Sequence, residues 1–229
     1  MTLNNPVYCA LDTSDLSHAL HLARSVGESV GGLKIGMEAF YAFGRDGFDA
    51  IADMGLPIFL DLKLHDIPNT VARAVSTLVS LGPEILNVHV GGGREMMEAA
   101  VDAAEGRVRL IGVTVLTSLN DLDLVRHGIL DGTAAQALRL AEDARAAGLD
   151  GVVCSAHEVP KIKALCGQDF LTVVPGIRPA FGRRDDQKRT LTPEAALAAG
   201  ADILVIGRPI TEAADPAHAA RDIALSLAD

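Results

Sequence analysis

Tryptophan is absent from this chain, and tyrosine and phenylalanine occur only two and six times. A platform that stacks bases needs several such rings on one surface, so single-stranded nucleic acid is a poor fit. Cysteine is equally sparse. Cys9, Cys154 and Cys166 are scattered, with no CxxC pair, which excludes a disulfide framework and suits reduced thiols in the cytoplasm. No Cys/His cluster has zinc spacing, and the GxSxG of a nucleophile elbow is missing. No apolar run approaches the ~20 residues of a membrane-spanning helix. Residues 1–6 lack the basic and apolar regions of a signal peptide. Positive charge is also short: the formal net charge is −10, which argues against nucleic acid and anionic membranes as partners. A small anionic substrate remains compatible with it wherever basic residues gather.

What is present is a large apolar fraction. The 229 residues are 49% hydrophobic, with a mean hydropathy of +0.26, enough for one sizeable core. Apolar runs predict strands at Val7 to Leu11, Gly32 to Ile35, Ile58 to Lys63, Ile85 to Val90, Val108 to Val115, Gly151 to Cys154, Leu171 to Pro175 and Ile203 to Ile206. Helical periodicity between them is clearest at residues 16–30, 71–81, 94–104, 134–147, 193–199 and 216–227. Gly148, Gly167 and Gly200 follow helical segments, where a terminating glycine belongs. Evenly spaced βα units in a chain of this length predict a single-domain (β/α)₈ barrel spanning residues 1–229. The alternative, a doubly wound open sheet, lacks a GxGxxG after the first strand.

The stretch Asp61-Leu62-Lys63-Leu64-His65-Asp66-Ile67-Pro68-Asn69-Thr70 organises the rest. Its period of two puts three leucines on one face and Asp61, Lys63 and His65 on the other. In a strand covered by helices, an Asp and a Lys are costly unless paired. Pro68 suits the first turn of a helix, and Asp66 just before it suits a cap.

A barrel carries its chemistry just after each strand. Asp12 follows the first strand as a hydroxyl ligand or, with Ser14, as a helix cap. Lys34, inside a short apolar strand, must find a partner. His89 reads as a core histidine with a satisfied hydrogen bond, and Gly91-Gly92-Gly93 as a turn or a close approach to ligand. Thr117 and Ser118 offer hydroxyls and amides to a polar ring edge. The segment from Arg178 to Leu191, which includes Gln187 and is rich in basic residues, reads as a lid or a solvated loop. Gly207 and Arg208 fit a phosphate site after the eighth strand.

Together these residues resemble the orotidine 5′-monophosphate decarboxylase family over essentially the whole chain. The resemblance rests on Asp61-x-Lys63-x-x-Asp66-Ile67-Pro68-Asn69-Thr70, with Leu11-Asp12, Leu33-Lys34-Ile35-Gly36, Val115-Leu116-Thr117-Ser118, Pro175-Gly176-Ile177-Arg178, Gln187 and Ile206-Gly207-Arg208 in the expected order. It implies cytoplasmic, cofactor-independent conversion of orotidine 5′-monophosphate to UMP in pyrimidine biosynthesis, by a homodimer and without metal. Lys34, Asp61, Lys63 and Asp66 would form an alternating charge chain, with Asp66 and Thr70 supplied by the neighbouring subunit. Asp12, Lys34 and Asp66 would hold ribose hydroxyls, and Thr117 with Ser118 would meet the pyrimidine. Arg178, Gln187, Gly207 and Arg208 would complete the substrate set, with Gln187 and Arg208 on the phosphate. Lys63, flanked by two carboxylates, is expected to stay protonated. Metal-dependent sugar-phosphate lyases on the same barrel place a carboxylate where Lys34 stands. A non-catalytic sugar-phosphate sensor would have no use for the Asp61–Lys63–Asp66 arrangement.

Overall fold

The computed structural model describes residues 5–179 and 191–227. Eight parallel strands close into a barrel in sequential order. They are β1 (Val7–Ala10), β2 (Gly32–Gly36), β3 (Ile58–Leu64), β4 (Ile85–His89), β5 (Arg109–Val113), β6 (Gly151–Val153), β7 (Leu171–Val174) and β8 (Ile203–Ile206). Every strand lies within the stretch expected for it or differs by one residue at an end. Among the described residues the helices are α1 (Leu16–Val26), α2 (Met37–Ala52), α3 (Pro68–Val79), α4 (Arg94–Ala104), α5 (Asp121–Val125), α6 (Gly132–Ala146), α7 (Val159–Cys166), α8 (Pro193–Ala198), α9 (Arg208–Thr211) and α10 (Pro216–Ser226).

Two helices depart from the sequence pattern for local reasons. α2 was not among the clear periodic segments because Gly44 breaks it, with φ 58° and ψ −148°. α3 starts three residues earlier than its apolar stripe because Pro68 occupies its first turn. Its cap position is Ile67, not Asp66, and no side chain caps it. The cap expected from Asp12 or Ser14 belongs instead to Asp15, whose Oδ1 accepts from the amides of Ser17 (2.8 Å) and His18 (3.2 Å).

Alternate residues on each strand point into the barrel, and their character changes with height. The lower interior is apolar, packed by Tyr8, Ala10, Phe59, Ile85, Ile111, Leu171, Val173, Ile203 and Val205. The opposite parity packs outward against the helices and forms the larger apolar cluster. On β2 and β3 the inward parity turns polar toward the C-terminal end, at Lys34 and Asp61. At the other end, near the start of β7 and β8, the buried Lys163 ammonium bonds Asp202 Oδ2 (2.7 Å) and the carbonyls of Gln168 (2.8 Å) and Phe170 (3.0 Å). Asp202 Oδ2 also accepts from the Thr172 amide and hydroxyl. This buried charge is thereby fully partnered, as it must be to be tolerated.

Candidate active site

A cavity of about 370 Å³ opens at the C-terminal ends of the strands. Ala10, Phe59, Val113, Val153 and Val205 line its apolar part. Asp12, Lys34, Asp61, Lys63, Thr117, Ser118, Arg178, Gly207 and Arg208 bring polar groups to it.

β2 and β3 pair Lys34 with Phe59 and Gly36 with Asp61, so an ammonium rises beside a carboxylate on adjacent strands. Lys34 Nζ lies 3.0 Å from Asp12 Oδ1 and 3.3 Å from Asp61 Oδ2. Lys63 Nζ lies 2.7 Å from Asp61 Oδ1. The sequence of charges is therefore Asp12, Lys34, Asp61, Lys63. Gly36 makes room for it: a Cβ there would stand 2.9 Å from Lys34 Nζ and 3.1 Å from Asp12 Oδ1.

Burial works against both central charges, and their neighbours overcome it. Lys34 is only 7% exposed. Desolvation pulls its pKa down, but Asp61 and Asp12 hold it above the ordinary lysine value. Asp61 is just as buried. Desolvation pushes its pKa up, while Lys34, Lys63 and hydrogen bonds from Lys63 and Asn87 hold it below the usual carboxylate range. Both groups are charged near neutral pH.

Lys63 departs from the regular strand. Its φ is 52°, a left-handed backbone rare for a side chain of this kind. The pairing of β3 with β4 slips here, with Leu60 opposite Leu86 but Leu64 opposite Val88. This irregularity of the β-bulge type re-aims residues at the strand end. The Lys63 amide donates to Asn87 Oδ1 at 2.7 Å, and Asn87 Nδ2 donates to Asp61 Oδ1 at 2.7 Å. Asn87 was not picked out from the sequence. Its signal was an amide inside the apolar run Ile85-Leu86-Asn87-Val88.

The expected site residues fall into three groups. Asp12, Lys34, Asp61, Lys63, Thr117, Ser118, Arg178, Gly207 and Arg208 come together around the cavity. Asp66 and Thr70 do not line it. Both are exposed, and Asp66 Oδ1 accepts from the Ile67 amide at 2.7 Å. Gln187 lies outside the described residues. The segment holding it starts and returns at one point, because Ile177 bridges Leu191 and the Arg178 amide donates to the Leu191 carbonyl.

His65 does not share the cavity face with Asp61 and Lys63. It is exposed and stacks on His89 with ring centroids 5.1 Å apart. His89 is half-buried rather than a core residue, and Nδ1 accepts weakly from the Gly91 amide at 3.3 Å. Burial, then His65 and Lys63, lower its pKa, so it is neutral at pH 7. Gly91 to Gly93 form a turn outside the cavity lining. Cys9 is no nucleophile, since burial and then Asp12 push its thiol up to about 12.

An apolar floor, a carboxylate held between two ammonium groups and an arginine at the start of α9, just after β8, define a (β/α)₈-barrel enzyme for a small anionic substrate. Comparison with known proteins then gives the family. The model of the "Orotidine 5'-phosphate decarboxylase / HUMPS family" matches residues 5–223, and this chain belongs to that family. The orotidine 5'-phosphate decarboxylase of Novosphingobium aromaticivorans is 53% identical over 98% of this chain and 100% of its own length. That of Rhodospirillum rubrum is 51% identical, over 96% of this chain and 93% of its own length. The crystal structure of orotidine 5'-phosphate decarboxylase from Lactobacillus acidophilus superposes with a TM-score of 0.86 at 38% identity, covering 99% of this chain.

Proposed function

We propose that this chain decarboxylates orotidine 5′-monophosphate to UMP, as one catalytic domain spanning residues 1–229, in the pyrimidine biosynthesis of the cytoplasm. The observation that carries the proposal is the charge row in the cavity, where Asp61 stands 3.3 Å from one ammonium and 2.7 Å from another.

The chemistry asks for such a row. Loss of CO₂ from C6 of the pyrimidine leaves a carbanion that no adjacent carbonyl delocalises. A fixed cation and a proton must be supplied at that carbon, and Lys63 supplies both. Its ammonium stabilises the developing anion and then gives the proton to C6. Asp61, beside the departing carboxylate, favours CO₂ release, and Lys34 keeps Asp61 ionised.

One charge contact at ~4 Å with an effective dielectric constant near 20 is worth ~4 kcal/mol, about three decades of rate. The rest comes from preorganisation and from binding energy at the phosphate, used to assemble the site. Arg208, Gly207, Arg178 and Gln187 take that end of the substrate. Asp12 and Lys34 take ribose hydroxyls, and Thr117 with Ser118 meets the ring.

The site is shared in a homodimer, Asp66 and Thr70 completing the partner's charge chain and ribose contacts. Their exposure supports this, as does the apolar Ile67 between them, 66% exposed on a single chain. No metal takes part at Asp61, because the ammonium groups of Lys34 and Lys63 already occupy its two sides and repel a cation, and the family resemblance implies no organic cofactor. Nucleic acid and membranes are not partners. The net charge is −10, and no helix among the described residues is long and apolar enough to cross a membrane.

The deciding experiment follows orotidylate absorbance with purified protein in excess EDTA. Consumption of substrate with formation of UMP is expected. A requirement for a divalent cation would instead favour a metal-dependent lyase on the same barrel.

A further inference from the structure

We infer that Asn87 is a positioning residue for this reaction, its single amide setting the carboxylate of Asp61 and the backbone of Lys63 together. The inference rests on the decarboxylase reading, since it gives Asn87 a part in that chemistry.

Asn87 sits on β4 with no exposed surface, outside the cavity lining. It touches no substrate site directly and acts through its two partners. Nδ2 donates to Asp61 Oδ1, and Oδ1 accepts from the Lys63 amide, each at 2.7 Å. Both bonds fix the orientation of the amide. Flipped, it would set a carbonyl against a carboxylate and an NH₂ against an N–H.

The bonds also fall where β3 leaves its ladder. Between the pairs Leu60–Leu86 and Leu64–Val88, β3 carries more residues than β4. The Lys63 amide finds the Asn87 side chain there, and the left-handed φ of 52° is held by it. The same Oδ1 of Asp61 receives both the Asn87 amide and the Lys63 ammonium. One side chain thus sets donor and anion relative to each other.

Two substitutions separate positioning from mere packing. Asn87→Leu keeps the branching and the number of heavy atoms, is bulkier, and offers neither bond. Asn87→Asp is isosteric and has two states. As a neutral acid it donates to Asp61 and accepts from the Lys63 amide, reproducing asparagine. Ionised, it sets a second negative charge against Asp61 and loses the donor. The titratable groups around it are Asp61 and Lys63 on β3, with Lys34 of β2 beyond Asp61 and the neutral His89 further along β4. Its register partner on β5, Ile111, is apolar. Repulsion by Asp61 favours the protonated state of the new carboxyl.

The test measures orotidylate turnover from about pH 5 to about pH 9 and UMP affinity by calorimetry, for wild type and both variants. For Asn87→Leu, kcat is expected to fall on the order of 10- to 100-fold with UMP affinity retained. For Asn87→Asp, kcat is expected to be as low at high pH and to climb toward wild type as pH falls. A wild-type kcat in Asn87→Leu overturns the inference, as does a loss matched by an equal loss of UMP affinity. Should Asn87→Leu not fold, the Asn87→Asp profile decides alone. A rise toward acid supports positioning, and a profile parallel to wild type overturns it. Wild-type protein without turnover overturns the decarboxylase reading and this inference with it. Active wild type with indifferent variants overturns the inference alone.

Discussion

Lys63 reaches back to Asp61, two residues earlier on the same strand, and closes an ion pair of 2.7 Å. Ammonium and carboxylate are thereby carried by one strand rather than by two loops. Lys34 on the neighbouring strand meets the other oxygen of the same carboxylate. The carboxylate is thus fixed from both sides before any substrate arrives, which is the preorganisation that electrostatic catalysis needs.

If Lys63 is the proton donor, removing it separates chemistry from binding. In Lys63→Ala the proton source is gone while Arg208 and Gly207 still line the cavity. Turnover is expected to drop by at least ~10²–10⁴-fold, with UMP affinity in calorimetry retained. More than a trace of residual turnover would remove Lys63 from the acid role.

If Arg208 holds the phosphate, removing it should act on binding first. Arg208→Ala is expected to raise KM for orotidylate roughly 10- to 100-fold, the worth of a hydrogen bond to a charged group. Guanidinium ion in solution should restore part of kcat/KM. Unchanged KM and kcat/KM would place the phosphate elsewhere.

The buried carboxylate gives a pH dependence of defined sign. The pKa of Asp61 is lower in the folded chain than its ordinary 3.8. Its contribution to stability is therefore fully present above that value and lost as pH falls through the folded value. Urea unfolding of wild type and Asp61→Asn should differ by a constant amount from neutral pH down to about pH 5. Below about pH 4 the advantage of wild type should shrink. A difference that changed mainly between about pH 6 and about pH 8 would point to another group, such as a histidine.

Subunit mixing tests the shared site. If Asp66 acts in its partner's cavity, Lys63→Ala and Asp66→Ala homodimers are both nearly inactive. Their heterodimer has one doubly defective site and one intact site. With random exchange in a two-fold dimer, activity should recover to roughly a quarter of wild type. No recovery after proven exchange would mean that Asp66 acts within its own chain.

The barrel was legible because its strands are apolar runs and its helices amphipathic, and β8 runs over the very residues its sequence pattern marked. Most of the site was legible for a related reason. Lys34 and Asp61 are charges in strands that otherwise exclude charge, so each announced a partner. Backbone geometry was hidden. Nothing in Leu60-Asp61-Leu62-Lys63 announces a left-handed residue or a slipped register, and the simple alternation wrongly put His65 beside Lys63. Asn87 was hidden for the same reason, since its partners are set by that slip. The cap before α3 failed because Asp66 bonds the very next amide instead.

The bridge between Ile177 and Leu191 has a consequence for how this chain can vary. With both ends of the intervening segment tied at one point, its length is uncoupled from the closure of β7 onto β8. Doubling the length of a flexible segment closed at its ends costs only about 0.6 kcal/mol in closure entropy. The stretch between the two tied residues can therefore be lengthened, shortened or exchanged as a cassette while the charge row on β2 and β3 stays untouched. Sequence there can drift over evolution, or be redesigned, without disturbing that row.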